Sequence, residues 1–137
     1  MLLLGQSGSG KSDLALRLIA MGARLVADDR CEIFFDGNTL RARAPRSIAG
    51  VMEIRGLGIV GVPCASEARI ALVVRIADAV ERMPELRAYE SPSALAVPEH
   101  LRLPEIAIDA FAASAAAKIL AAVAAFEKQL FHKDIPV

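Results

Sequence analysis

The sequence predicts a single α/β domain, and three observations predict it. An apolar start, Met1-Leu2-Leu3-Leu4, runs into a glycine-rich loop and then into a helix-forming segment, the strand–loop–helix order of an α/β unit. Hydrophobic residues are 55% of the chain while aromatics are only 4%, so Leu, Ile, Val and Ala must fill the core. The length, 137 residues, suffices for one sizeable core and is too short for two ordinary ones. The expected organisation is one domain over residues 1–137.

Each element follows in chain order. "GQSGSGKS", Gly5 to Ser12, fits G-x-x-x-x-G-K-[ST] without a mismatch. Its glycines at 5, 8 and 10 permit backbone conformations that a Cβ forbids, so that the N–H groups of Gly5, Gln6, Ser7, Gly8, Ser9, Gly10, Lys11 and Ser12 can turn around a phosphate. "SDLALRLIAMG" predicts a helix stopped at Gly22, with its N-terminus aimed at the same anion. "ARLVADD" reads as a short strand from Ala23 to Asp29, and "CEIFFDGNTLRARAP" as a hairpin turning at Asp36-Gly37-Asn38. "GVMEIRGLGIVGV", Gly50 to Val62, carries too many glycines for a helix and reads as a strand or loop close to a ligand. "ARIALVVRIADA" is a further strand, and the prolines between Val80 and Pro104 predict a long surface connection. "AIDAFAASAAAKILAAVAAF" is interrupted by Asp109 and Lys118, which argues for an alanine-rich buried helix, set at about Ser114 to Phe126, rather than a membrane span. "FHKDIPV" reads as a loose tail.

Composition removes several classes of function. Sixteen basic and sixteen acidic residues cancel without runs of like charge, so nucleic acid is not an expected partner. Cys31 and Cys64 stand apart, with no C-x-x-C or Cys/His cluster, which fits a reducing compartment and excludes a sequence-evident zinc site. No stretch has the length or purity of a membrane span, so a cytoplasmic location and no membrane partner are expected. His100 and His132 lack a second ligand at useful spacing and read as solvated.

The chemistry therefore rests on the loop and on a few charges after it. Lys11 supplies a mobile positive charge for terminal phosphates, and the Ser12 hydroxyl is placed to ligate Mg²⁺, which points to ATP and Mg²⁺. Phosphoryl transfer also needs a held metal and a nucleophile relieved of its proton. "VADD" offers two carboxylates, one for the metal and one as base, with a polar strand end opening a turn as the lesser alternative. Glu53 and Arg55 fall on one face of an extended apolar stretch, as a candidate Mg²⁺ ligand and a candidate stabiliser of the transferred phosphoryl group, or else as a plain surface pair. Arg82 reads from spacing alone as a surface charge.

"GQSGSGKSDLALRLIAMGARLVADDRCEI" followed by "MEIRGLGIVGV" resembles the catalytic domain of HPr kinase/phosphorylase, firmly from Leu2 to about Val74 and more weakly through "VERMPEL" and "LRLPEIAIDAFAASAAAKI", where it is similar to the family's short alphaproteobacterial form. The resemblance implies a P-loop kinase core of the phosphoenolpyruvate carboxykinase-like type. It implies ATP-dependent phosphorylation of a serine on the phosphocarrier protein HPr, and in bifunctional members attack of inorganic phosphate on phosphoserine with release of pyrophosphate. By matching positions it implies Lys11 on the nucleotide phosphates, Ser12 and Glu53 on Mg²⁺ with Asp28 at the metal end, Asp29 as the base, and Arg82 assisting both reactions. Members carry a further strand with a catalytic histidine ahead of the loop. Against that pattern the chain is expected to begin after this strand, with reduced or absent transfer as the consequence. The long members' "pGRN"-like segment has no match here, which leaves phosphorolysis and a homo-oligomeric assembly as open expectations. Two other classes fit the loop: a nucleotide- or phosphate-sensing module without turnover, and a P-loop kinase for a small metabolite.

Overall fold

The computed structural model describes residues 1–91 and 97–131. Along the chain the elements are β1 (Leu2–Leu4), α1 (Lys11–Ala20), β2 (Glu32–Phe35), β3 (Leu40–Arg43), β4 (Val51–Ile54), β5 (Gly58–Gly61), β6 (Glu67–Arg69), β7 (Val73–Ile76), β8 (Arg87–Ala88), β9 (Pro104–Ile108) and α2 (Ala115–Lys128). A four-stranded sheet has the order β1-β7-β9-β8, with β1, β7 and β9 parallel and β8 antiparallel. Strands β2, β3 and β6 make a second, antiparallel sheet, and β4 and β5 a separate hairpin. The α/β class expected from the sequence is the one observed.

Period-2 alternation in the strands sorts the core into two parts. Leu14 and Leu18 of α1 and Ala115, Ala116 and Ile119 of α2 pack with Leu72, Val74, Ile108 and Ala110, and Leu3 joins them. Leu2, one residue away on β1, turns instead to the cluster of Leu40, Ala42 and Ile70. Both helices thus share one core with the parallel sheet, and small alanine side chains on α2 allow its close approach. Helix α1 ends as the sequence predicts. Gly22 takes φ 101°, its N–H bonds the Ile19 carbonyl at 3.0 Å, and Ala23 N–H bonds that of Leu18 at 3.0 Å, the two closures of a Schellman stop. The predicted hairpin is β2–β3, its turn held by Asp36, whose Oδ1 accepts from the Thr39 hydroxyl at 2.8 Å. That bond holds the Asp36 carboxyl below the usual carboxylate range.

Four expectations need correction. Ala23–Asp29 is not a strand: only Leu25 forms a bridge, with Cys64, through bonds from Leu25 N–H to Pro63 and from Ala65 N–H to Leu25, both 2.8 Å, after which the chain bends. "ARIALVVRIADA" holds two strands, β6 and β7, in different sheets. Ile70 serves one core and Leu72 the other, so a continuous apolar run conceals a crossing between layers. Gly50–Val62 is a full hairpin turning at Arg55-Gly56-Leu57, with Gly56 and Gly58 at φ 86° and 107°. The surface connection expected between Val80 and Pro104 contains strand β8, and strand β9 follows it, whereas the helix set at about Ser114 to Phe126 stands as α2, Ala115–Lys128. Pro92 of that connection and His132 of the tail fall outside the described residues.

Leu14 is fully buried directly beneath the phosphate loop. Leu14→Ala is expected to cost about 2–5 kcal/mol in urea unfolding. Met21→Ala, at an exposed position at the other end of the helix, should change stability by less than about 0.5 kcal/mol.

Candidate active site

The carboxyl ends of parallel strands are where α/β sheets bind ligands, and the loop sits there. It leaves β1 at Gly5 and enters α1 at Lys11, with Ser9 N–H closing on the Gln6 carbonyl at 3.1 Å. Gly8 and Gly10 have φ of 78° and 93°. At Gly5 a Cβ would stand 2.6 Å from Ser9 Oγ and 3.0 Å from the Ile76 side chain at the end of β7, so the backbone is pressed where only glycine fits. The first intrahelical bond is Leu14 N–H to Gly10, which frees the N–H groups of Lys11, Ser12 and Asp13 for an anion. Ser9 Oγ is buried without a hydrogen-bond partner among the described residues. A cradle that a Cβ would fill, free N–H groups and an orphaned hydroxyl together fit a phosphate.

Lys11 bends back over the loop, its Nζ donating to the carbonyls of Gly5 at 2.6 Å and Gln6 at 2.9 Å. Ser12 turns the other way and donates its hydroxyl to Asp28 Oδ1 at 3.1 Å. The second oxygen of Asp28 accepts from the Glu53 backbone N–H at 3.3 Å. Ser12, Asp28 and Glu53, three of the sequence-predicted residues, are thereby brought together. The link to Glu53 runs through its main chain, and its carboxylate stands exposed.

Asp28 and Asp29 do not alternate along a strand. Asp29 takes φ 59°, and Arg30 N–H closes on the Asp28 carbonyl at 2.6 Å across it, a γ-turn-like closure. Asp28 is half-buried against Ser12 while Asp29 is exposed. A non-glycine residue in this region is strained, and such strain collects at functional sites. Among the described residues no group of three or more His, Cys, Asp or Glu side chains gathers to hold a metal. Ser12 Oγ and Asp28 fit Mg²⁺, which keeps waters and phosphate oxygens as its other ligands.

The two arginines are placed differently from each other. Arg55 is in the β4–β5 turn beyond the last residue of β4, so it does not share a strand face with Glu53, and both side chains are exposed. The expectation of a charge pair in an apolar stretch is therefore corrected: these charges are solvated and bear no burial cost. Arg82 is exposed on the connection that leaves β7 at the same sheet end as the loop. The exposed His100 matches its solvated reading, and both described cysteines are free.

Two neighbours of the loop were not singled out from the sequence. Arg17 bonds Asp13 Oδ2 at 3.0 Å and the carbonyls of Ala112, at 3.2 Å, and Ala110, tying α1 to the β9–α2 connection. Phe111, on that connection, meets the loop at Gly10. These contacts span more than ninety residues, and the sole local hint is the charged pair Asp13 and Arg17 at i, i+4.

The family described as HPr Serine kinase C-terminal domain matches residues 1–133. The chain belongs to this family. Among relatives, the HPr kinase/phosphorylase of Lactobacillus acidophilus is 52% identical over 62 residues, 44% of this chain and 19% of that protein. HPr kinase/phosphorylase 1 of Oceanobacillus iheyensis is 43% identical over 97 residues, 65% of this chain and 30% of that protein. The chain thus spans less than a third of the length of these relatives. The solved structure of the Hpr(Ser) kinase/phosphatase from Coxiella burnetii superposes with a TM-score of 0.74 at 23% identity, covering 93% of this chain and 87% of that one. The family's P-loop kinase-like α/β fold is therefore the fold of this chain. No described helix is long and apolar enough to cross a membrane.

The glycines of this family loop differ in what they tolerate. Gly10→Ala would combine a left-handed φ with a Cβ 3.2 Å from Ala110 Cβ and 3.3 Å from the Phe111 ring, whereas Gly8→Ala meets nothing within 4 Å. We expect Gly10→Ala to lose about 1–3 kcal/mol of stability and most pyrophosphate affinity, and Gly8→Ala to lose less stability. Urea unfolding and calorimetric titration with pyrophosphate check both.

Proposed function

We propose that the chain is the catalytic domain of an ATP-dependent protein serine kinase that phosphorylates HPr, and that it belongs in the cytoplasm where ATP and HPr meet. The observation that carries this reading is the Asp28 carboxylate, bonded at once to the P-loop Ser12 hydroxyl and to the Glu53 segment at the N-terminus of α1. Family membership and the printed names of the relatives supply the substrate.

In this reading Lys11 leaves the carbonyls of Gly5 and Gln6 for the nucleotide's terminal phosphates. Ser12 and Asp28 hold Mg²⁺, with Glu53 beside them. Mg²⁺ supplies charge neutralisation between the phosphates when bound. Asp29, exposed and held in its own backbone conformation, accepts the proton of the attacking serine hydroxyl. In phosphorolysis an oxygen of inorganic phosphate attacks the phosphoserine phosphorus, the P–O bond to the serine breaks, Asp29 in its protonated form gives its proton to the departing serine oxygen, and the products are pyrophosphate and HPr. Arg82 and Arg55, both exposed on loops, are the candidate cations for the transferred group.

Lys11→Ala should remove Mg-ATP-dependent thermal stabilisation at millimolar nucleotide and abolish transfer, because a charge on the terminal phosphates is lost in ground and transition states alike. If the unaltered protein shows no such stabilisation, the nucleotide reading is wrong.

Asp29→Asn should leave the Mg-ATP affinity nearly unchanged and cut radiolabel transfer to HPr about 10²-fold or more. Asp28→Asn should instead raise the Mg²⁺ concentration needed for half-maximal transfer, and by more than Glu53→Gln, since Glu53 meets the site through its backbone. Equal transfer with Asn at position 29 would remove the base assignment.

A further inference from the structure

The nucleotide reading engages the phosphates and leaves the base without a partner. Phe111 is 71% exposed and belongs to neither core cluster, yet its ring is set against the P-loop: Cε1 and Cζ lie 3.3 Å from where a Cβ on Gly10 would stand. Phe111 is carried on a backbone that is tied at several points. Its own N–H donates to Asp109 Oδ1 at 2.9 Å, Ala110 before it is fully buried, and the carbonyls of Ala110 and Ala112 on either side accept from the Arg17 guanidinium. An aromatic surface presented from a tied backbone loses less freedom when a second ring covers it than one on a loose loop.

Direction supports the same conclusion. Gly10, Asp13 and Arg17 recur at i, i+3 and i+7, the stripe at the start of α1 that faces the β9–α2 connection. Ser12, which meets Asp28, is off that stripe. The carboxylates and the aromatic ring therefore flank the helix N-terminus on different sides. A nucleotide whose terminal phosphates are drawn toward Ser12 and Asp28 would send its nucleoside toward the ring.

We propose that Phe111 is the platform on which the base of the bound nucleotide stacks. The proposal rests on the nucleotide reading above and adds the base-binding residue to it. Stacking uses the π-face that every base has, so adenine and guanine are both accepted.

Calorimetric titration of the unaltered protein, Phe111→Ala and Phe111→Trp with Mg-ATP, Mg-GTP and magnesium tripolyphosphate tests it. Phe111→Ala is expected to weaken ATP and GTP by roughly 5- to 150-fold, the range that loss of one base–aromatic stack produces, and to leave tripolyphosphate affinity unchanged. Phe111→Trp should keep ATP binding. The sequence has no other Trp, so quenching of its fluorescence by ATP and not by tripolyphosphate reports the stacked base directly. Unchanged ATP affinity in Phe111→Ala overturns the proposal, as does a parallel loss of ATP and tripolyphosphate, which would mean that the ring only shapes the loop. A raised KM for HPr at intact ATP affinity also overturns it and assigns the ring to the protein substrate. An unaltered protein that binds tripolyphosphate but gains nothing from the base refutes the platform alone, whereas one that binds neither ligand refutes the nucleotide reading and the platform together.

Discussion

One half-buried carboxylate, that of Asp28, organises the phosphate end of the molecule. It accepts from the Ser12 hydroxyl and the Glu53 amide, so three segments separated by sixteen and twenty-five residues converge on two oxygen atoms. Bonds of a carboxylate to polar donors are stronger than bonds between neutral groups. The arrangement sits on an unstrung stretch of chain: a single bridge at Leu25 anchors it, and the turn at Asp29 ends it. Regular strand pairing through Asp29 would have sent the two acids to opposite faces. The broken strand is what leaves one carboxylate on Ser12 and the other facing solvent.

Helix α1 needs a second hold, because a helix N-terminus aimed at phosphate is useful only if it stays aimed. Leu14 and Leu18 fix its buried side by packing, which is strong but without direction. Arg17 adds direction by bonding two backbone carbonyls of the β9–α2 connection and, on its own helix, Asp13. Its guanidinium presents several donors in a fixed plane, which a lysine could not match. The helix is thereby tied to Asp28 through its first turn and to the β9–α2 connection through its second. The P-loop, spanning from β1 to α1, inherits the rigidity of both.

Local signals were legible in the sequence and long-range ones were not. The loop, the helix stop at Gly22 and the Asp36-Gly37 turn depend on backbone rules that act within a few residues, and all three stand where the residues put them. The Glu53-Arg55 stretch misled because alternation assumes one continuous strand, and two glycines in left-handed conformations had already turned it at Arg55. "ARIALVVRIADA" misled for another reason. Its apolar run feeds two cores, and burial on both sides of a crossing looks in sequence like burial along one strand. Strand β9 is not read from the sequence because Ile106 and Ile108 satisfy the apolar requirement of either a helix or a buried parallel strand. Arg17 and Phe111 acquire their surroundings from residues about a hundred positions away, and no spacing rule reaches that far.

Lys11 shows how the site remains responsive once it is built. Its ammonium is satisfied by two neutral carbonyl oxygens of its own loop, and among the described residues it forms no ion pair with Asp28 or Asp29. Had it paired with a carboxylate, an incoming phosphate would have to break a charge-assisted bond and strand an acid before gaining its own cation. Exchanging carbonyl dipoles for a phosphate anion instead strengthens the interaction, since full charge replaces partial charge at similar range. The carboxylates meanwhile keep their oxygens directed at Ser12 and at solvent, where a metal ion and a hydroxyl proton can reach them. The opposite charges of the site are thus held apart by hydrogen bonds to neutral groups, and an anionic ligand with its cation can enter between them without first undoing a bond between the protein's own charges.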